Sequence, residues 1–315
     1  MSPANNIKAT AVILGGTGDL GAHVTKIFLT EYRDHFPTVR ITTRDPASAK
    51  AKELAAMGAE VHAITEPMDD VVAGATVVVN VLPTAACLEI NKALVTAMVK
   101  HGVPVYFPSD FASDYTLGGF EGFMHTEWIN KTALARETAA LSAGAATPLK
   151  AVTVFNGAFL SWLLDPYRSL CANVHANTFT ALGDPHTRFA ATALPDIARA
   201  VARLALLALD PATRDDVPAV VHVYGDNVSV AEIRDAVARV KGVEKGPIEV
   251  GDVAAVKQRL RENQPPTLMD IVDYARVLVG QGNIDYSENN QNELVNPGQS
   301  LWKWRTVEEE LRSIL

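Results

Sequence analysis

The chain has 315 residues, 48% of them hydrophobic, and 36 acidic against 28 basic side chains give a formal net charge of −8. That length and apolar content suffice for one large or two modest domains with a substantial core, while the acidic balance argues against nucleic acid or an anionic membrane as the main partner, because phosphate-rich surfaces are met by a basic face. The two cysteines, Cys87 and Cys171, are too few and too far apart for a disulfide framework or a zinc site, so both read as reduced and buried in a cytoplasmic protein without a metal centre.

Met1 to Lys8 is short and polar with no apolar signal-like run, and no later segment is long and apolar enough to span a bilayer. The first structured stretch is Ala11–Leu14, an apolar strand running straight into Gly15-Gly16-Thr17-Gly18-Asp19-Leu20-Gly21 and then a helical pattern. This spacing predicts a dinucleotide cradle: Gly15 for the sharp strand-to-helix turn, Gly18 for backbone approach to a pyrophosphate, Gly21 for close packing of helix on strand. The helix N-terminus faces the phosphates with unpaired amides and a partial positive charge. Thr17, Asp19 and Leu20 complete the cofactor-contacting turn, although the Asp19 carboxylate repels a pyrophosphate unless it points away.

The second strand, Val39–Thr43, ends at Arg44-Asp45-Pro46. Asp45 before Pro46 reads as a helix N-cap with proline at the first helical position, which leaves Arg44 to meet the ligand. An arginine fork matches a phosphate, with Thr43 and Lys50 as helpers, so the expected cofactor is NADPH/NADP+ rather than its unphosphorylated counterpart. The other reading of Arg44 is a solvated surface cation.

Strand-length apolar runs continue at Glu60–Ile64, Thr76–Leu82, Val103–Phe107 and Leu149–Phe155, alternating with helical segments at Ala47–Met57 and Leu88–Lys100 that Gly58 and Gly102 stop. This is the pattern of an α/β fold with a Rossmann-type doubly wound parallel sheet. Val77–Leu82 is nearly all apolar, as suits a central strand buried on both faces. Leu82 and the loop Pro83-Thr84-Ala85 at its carboxyl end are expected beside the nicotinamide half of the cofactor.

Val105–Tyr115 starts as a strand and breaks at Pro108, so Ser109 and Asp110 emerge at the same sheet edge, where they either bond a ribose or shape the loop. Phe107 and Phe111 either line a flat apolar surface or fill core. Next comes a helix from His125 to Arg136 carrying Lys131. A lysine desolvated beside a cofactor serves acid-base chemistry; on an open helix face it is simply solvated.

After Asn156 the alternation dissolves. Ala158–Tyr167 looks helical, short strands fall near Thr178–Leu182, Arg188–Ala191 and Val220–Tyr224, and Leu194–Leu209 is a strongly apolar helix with Asp196 in its first turn. Ser229 with Glu232 forms a capping box, helices follow at Val253–Arg261 and Leu268–Val279, Gly280–Gln299 reads as a long loop, and Thr306 with Glu309 opens a last helix to Leu315. The expected division is a cofactor-binding domain over residues 1–156 and a smaller α+β substrate-binding domain over 157–315, with an approximate boundary and interleaving left open.

Together, Gly15-Gly16-Thr17-Gly18-x-x-Gly21, Arg44, Phe107-Pro108-Ser109-Asp110-Phe111 with Asp114, Lys131, and Asn156-Gly157-Ala158-Phe159 resemble the NmrA-like, isoflavone-reductase-like branch of the atypical short-chain dehydrogenases. Most short-chain dehydrogenases carry Tyr-x-x-x-Lys, but here Glu127 stands four residues before Lys131, so the tyrosine is absent. Gly183-Asp184-Pro185 and Leu194-Pro195-Asp196-Ile197 are similar to that branch too, with proline in place of a glycine, and the resemblance loosens past Lys241. It implies an NADPH-dependent reductase of a small apolar, aromatic or polyketide-like substrate. Lys131 would be the acid-base residue and a nicotinamide-ribose contact, assisted by His125, whose other reading is an exposed histidine in the loop or at the helix start. Asn156 would meet the cofactor at the cleft wall, and Phe111, Phe123, Phe159 and Trp162 the substrate, with Phe120, Met124 and Tyr167 as further wall candidates. Two other readings on the same scaffold are a non-catalytic redox sensor that binds a dinucleotide and a protein partner, and a non-redox isomerase or lyase. Oligomeric state is left open, a homodimer included.

Overall fold

Thr10–Leu14 (β1) is a β-branched and aliphatic run buried along nearly its whole length, and it leads through the glycine turn into Asp19–Leu29 (α1). Thr38–Thr43 (β2), Ala49–Ala56 (α2), Glu60–Ala63 (β3), Met68–Val72 (α3), Val77–Asn80 (β4), Thr84–Lys100 (α4), Val105–Phe107 (β5), Thr126–Ser142 (α5), Lys150–Ala151 (β6) and Thr153–Phe155 (β7) follow. These come from a computed structural model, which describes residues 7–164 and 170–315.

Six strands form one sheet in the order β3-β2-β1-β4-β5-β6, parallel throughout, with Leu14 in register with Thr42 on one side and Asn80 on the other. The strand order reverses at β1, between β1 and β4, which stay paired through Leu14 and Asn80, and such a switch point at the carboxyl ends of the strands is the position where these sheets open a crevice. Val12, Leu14, Val78 and Tyr106 share a core cluster with Leu94, Val95 and Met98 of α4. Full burial of such side chains is worth about 1.5–3 kcal/mol each.

Several local expectations are corrected. Ser48, not Asp45, caps α2, its hydroxyl accepting from Ala51 N at 3.3 Å, whereas the Asp45 carboxylate accepts from Ala47 N at 2.9 Å in an Asx turn. Pro46 therefore sits in the turn before the helix. Pro83-Thr84-Ala85 is not a loop, because α4 begins at Thr84 directly after Pro83. The strand expected at Leu149–Phe155 divides at Val152 into β6, which joins the large sheet, and β7, which pairs elsewhere.

Beyond β7 lie Ala158–Phe159 (β8), Leu160–Leu163 (α6), Ala172–Asn173 (β9), Thr178–Leu182 (β10), Arg188–Thr192 (β11), Leu194–Leu209 (α7), Val220–His222 (β12), Asp226–Ser229 (β13), Val230–Lys241 (α8), Ile248–Gly251 (β14), Val253–Glu262 (α9), Ile271–Gly280 (α10), Asn292–Val295 (α11) and Val307–Ile314 (α12). Here β14-β10-β9 and β13-β11-β8 are small mixed sheets, and β12 pairs with β7. Phe159 belongs to a strand, so the helix expected from Ala158 shrinks to α6; its far end, with Tyr167, lies outside the described residues. The loop expected over Gly280–Gln299 contains α11. Both capping boxes form: Ser229 with Glu232 opens α8, and Thr306 with Glu309 opens α12.

The described chain divides into two compact units. The first takes residues up to Phe111, then Asn130–Val154 and Ile197–Val221, and holds the six-stranded sheet. The second takes Ala112–Ile129, Phe155–Asp196 and His222–Leu315. Its core is aromatic: Tyr115 stacks on Trp128 with centroids 5.3 Å apart, and Phe120 meets Tyr274 at 5.0 Å.

Candidate functional site

The glycine turn shows why its sequence is so restricted. Gly15 has φ +81°, a conformation that side chains rarely adopt, and a Cβ on Gly21 would lie 2.1 Å from the Gly15 carbonyl oxygen. The sequence reading missed Gly16, where a Cβ would fall 2.6 Å from Cβ of Ile41 on β2. The turn is pinned to β2 by Gly15 N donating to Thr42 Oγ1 at 3.1 Å and Gly16 N donating to the Thr42 carbonyl at 3.1 Å.

No side chain caps α1, whose N-cap is Gly18, and a Cβ there would meet only the Gly15 carbonyl, at 3.3 Å. Backbone amides with no intervening side chain suit a pyrophosphate, so the residues present fit a dinucleotide. Asp19 and Gly18 are exposed and Leu20 is buried. The hydroxyls of Thr17 and Thr43 lie 2.9 Å apart, joining the turn to the end of β2. Arg44 follows, exposed, and among the described residues it makes no hydrogen bond or ion pair. Lys50 instead stands 3.8 Å from Glu53.

At the carboxyl ends of β4 and β5, Lys131 of α5 reaches back to the loop after β5. Its ammonium donates to the Ser109 carbonyl and lies 3.6 Å from Asp110 Oδ1, the lysine side chain 16% exposed and the aspartate 6%. Ser109 Oγ donates to the Leu82 carbonyl at 2.7 Å. Thus Leu82, Ser109, Asp110 and Lys131 are brought together in the first unit, while Pro83 is exposed at the start of α4.

Beside Lys131 lies a cavity of about 280 Å³ within the same unit, lined by Asn80, Cys87, Tyr106, Ser109, Asp110 and Thr138 among others. Asn80 Nδ2 donates to Tyr106 OH at 3.3 Å and to Cys87 Sγ at 3.4 Å. Burial pushes both the Cys87 thiol and the Tyr106 hydroxyl up, so both stay protonated at neutral pH. Asn80, Cys87 and Tyr106 were not anticipated as site residues; the available signal was one amide in an otherwise apolar strand.

The second unit holds the other anticipated residues. Asn156 is fully buried, its Nδ2 donating to the Gly157 carbonyl at 3.0 Å and its Oδ1 without a partner among the described residues. Gly157 has φ +67°, and a Cβ on it would lie 2.1 Å from the Ala190 carbonyl. His125 is 2% exposed: Nδ1 accepts from Glu127 N at 3.1 Å, so Nε2 carries the proton donated to the Thr267 carbonyl at 3.0 Å. Both ring nitrogens are thereby engaged with backbone. Phe123, expected on a substrate wall, is 3% exposed and packs against Phe120 in the core, under the Arg261 guanidinium at 4.8 Å, because a benzyl ring gains more from full burial than from a half-wet wall. Phe120 is buried in the same cluster, Met124 packs against it, and Phe111 of the first unit is buried. Phe159 and Trp162 keep an exposed edge, their rings 4.9 Å apart in a T-shaped pair, with Trp162 40% exposed.

Asp114, part of the Pro-Ser-Asp-Phe segment's motif, meets a residue that no motif announced: His222 Nε2 bonds Asp114 Oδ2 at 2.9 Å, with His222 packed against Phe155 and Tyr286. Burial works to raise the Asp114 carboxyl, but the bonds from His222 and Thr116 outweigh it and hold the group below the usual carboxylate range. Among the described residues no group of three or more His, Cys, Asp or Glu could hold a metal ion, and no helix is long and apolar enough to cross a membrane.

Comparison with known proteins agrees with this frame. No curated protein matches the sequence. Among solved structures, leucoanthocyanidin reductase from Vitis vinifera in binary complex with NADPH superposes with a TM-score of 0.71 at 20% identity, covering 96% of this chain and 98% of that one. A structure from work on pinoresinol-lariciresinol and phenylcoumaran benzylic ether reductases gives 0.75 at 14% identity, covering 98% and 100%. An isoflavone reductase gives 0.70 at 18% identity, again covering 98% and 100%. At such identities the likeness establishes the fold, a Rossmann-like α/β architecture. The NmrA-like family matches residues 7–309, nearly the whole sequence, and the chain belongs to that family.

Proposed function

We propose that this protein is an NADPH-dependent reductase of a small apolar molecule, aromatic or polyketide-like. The observation that carries the reading is the Lys131 ammonium, largely withdrawn from water and held between the Ser109 carbonyl and Asp110, on a sheet whose first turn is shaped for a dinucleotide. Reductases with NADPH among the structural neighbours support the same cofactor here.

The turn from Gly15 to Gly21 would hold the pyrophosphate, Thr17 and Thr43 the adenosine side, and Arg44 the 2′-phosphate. Leu82, Ser109 and Asn156 would meet the nicotinamide half. NADPH, when bound, supplies the hydride. Lys131 moves the proton: its ammonium Nζ donates to the oxygen or carbon that gains negative charge, and the Ser109 carbonyl with the Asp110 carboxylate keeps the ammonium oriented meanwhile. His125, with both nitrogens engaged, leaves that task to Lys131. The exposed Phe159–Trp162 pair offers an aromatic face to a flat substrate.

Calorimetric titration with NADPH, NADP+, NADH and NAD+ tests the cofactor, and a panel of aromatic enones and quinones, read by loss of the reduced cofactor's absorbance, tests turnover. Tight NADPH binding with turnover supports the reductase. Equal binding of both phosphorylated forms without turnover would replace it by a dinucleotide sensor, and product formed without net loss of NADPH by an isomerase or lyase.

A further inference from the structure

We infer that Asn80 is a positioning residue for Lys131, acting through Leu82 and Ser109; this rests on the proposed acid-base role of Lys131. Asn80 ends β4 after three valines and is 2% exposed. An amide in such surroundings is costly unless its hydrogen bonds are made, and a fourth valine would continue the strand without that demand.

The bonds it makes lead in one direction. On the buried side its Nδ2 is anchored by Tyr106 OH and Cys87 Sγ. On the other side its Oδ1 accepts from Leu82 N at 3.1 Å, closing the backbone at the end of the strand. The Leu82 carbonyl is reached through Cys87, whose Sγ Asn80 Nδ2 holds and whose thiol donates to it at 3.5 Å, and the same carbonyl accepts from Ser109 Oγ at 2.7 Å. Ser109 is thereby held by its side chain, and its own carbonyl receives the Lys131 ammonium. Three successive links run from a core amide to the lysine, all within the first unit, and the last delivers a carbonyl rather than a packing contact. A strand-closing amide alone would have no need of the Ser109 hydroxyl. The chain holds the Ser109 carbonyl and the adjoining Asp110 carboxylate where the ammonium must sit, so the lysine pays less ordering entropy to stay there.

The test follows the lysine directly and needs no substrate. Native protein, Asn80→Ala, Ser109→Ala and the double variant are treated with acetic anhydride at one pH, and the rate of acetylation of each lysine is read by peptide mass spectrometry. Lys131 is expected to react about threefold faster or more in each single variant, the scale of one lost hydrogen bond. Lys150 and Lys241 should be unchanged, and the double variant no faster than the faster single, because both substitutions cut one chain. Should Asn80→Ala fail to fold, as a thermal melt would show, Asn80→Ser takes its place in the comparison with Ser109→Ala and the double variant. An unchanged Lys131 rate in folded variants overturns the proposal, as does a double variant whose acceleration is the product of the singles. Neither outcome depends on turnover, so a Lys131→Ala variant that remained active would overturn the acid-base role proposed for Lys131 without touching this result.

Discussion

Lys131 Nζ lies 3.6 Å from Asp110 Oδ1, an ion pair whose carboxylate is almost wholly buried. A charge held this far from water is kept in one place by its partners rather than by solvent. Replacing Lys131 by alanine is therefore expected to lower turnover by about 100-fold or more while changing the NADPH dissociation constant only slightly, the signature of a group that moves a proton. Steady-state kinetics beside a binding titration checks this, and equal activity in the variant would remove Lys131 from the chemistry.

Arg44 is exposed at the end of β2 and makes no bond to the rest of the described protein. Arg44→Ala should leave the fold intact and weaken NADPH by about 1.5–3 kcal/mol, the worth of a charge-assisted contact, with NADH binding unchanged. A variant whose preference between the two cofactors matched the native protein's would place the 2′-phosphate elsewhere.

The glycine turn tolerates no added methyl at Gly21, where the new carbon would overlap a backbone oxygen at 2.1 Å. Gly21→Ala is expected to cost about 1–3 kcal/mol in a urea unfolding curve and to weaken every dinucleotide alike, since helix and strand must separate. Gly74→Ala is a useful contrast, with nothing within 4 Å of the added carbon but a φ of +70° that makes its cost conformational only.

The Asp114 carboxyl is held below its usual range, so its contribution to stability is complete above the unfolded value, about 3.9, and is lost as pH falls through the lower folded value. Unfolding midpoints measured from about pH 6 down to about pH 3 should fall more steeply for the native protein than for Asp114→Asn. Parallel acid limbs would show that the His222–Asp114 pair adds nothing.

Ser229 Oγ accepts from Glu232 N at 3.2 Å while the Glu232 carboxylate accepts from Ser229 N at 2.8 Å. Losing that cap in Ser229→Ala should lower stability by about 1 kcal/mol, read from urea unfolding curves.

What the sequence could disclose follows from how local each feature is. The strand, the glycine turn and α1 lie within twenty consecutive residues and are dictated by backbone geometry, so spacing alone announced them. Capping boxes are equally local, and those of Ser229 with Glu232 and Thr306 with Glu309 were legible, whereas Thr267 with Asp270 was passed over because it opens only a single 3-10 turn. The cap of α2 was misplaced because Asp45 and Ser48 are both good capping residues three positions apart, and only the Asx turn of Asp45 with Ala47 settles which one serves. The start of α4 was obscured since Pro83 reads as a loop residue whether or not a helix follows at once. Asn80 was visible as a lone amide among valines, yet its partners Tyr106 and Cys87 come from another strand and a helix. Asp114 stood in a motif, but its partner His222, 108 positions away, left no periodic or local trace. His125 shows the opposite failure, a chemically versatile ring at a suggestive place whose two nitrogens are spent on backbone.

The three-part assembly of each compact unit bears on how the chain is made. All six strands of the large sheet are complete by Ala151, but the unit that contains them closes only with Val221, and the second unit waits for Leu315. During synthesis the sheet can therefore pair while the helix that completes its unit is still being translated, and its apolar surface stays open over that interval. A nascent chain arrested before Val221 would be a ready substrate for chaperones, and slow codons clustered between Ala151 and Val221 would lengthen the exposure rather than relieve it.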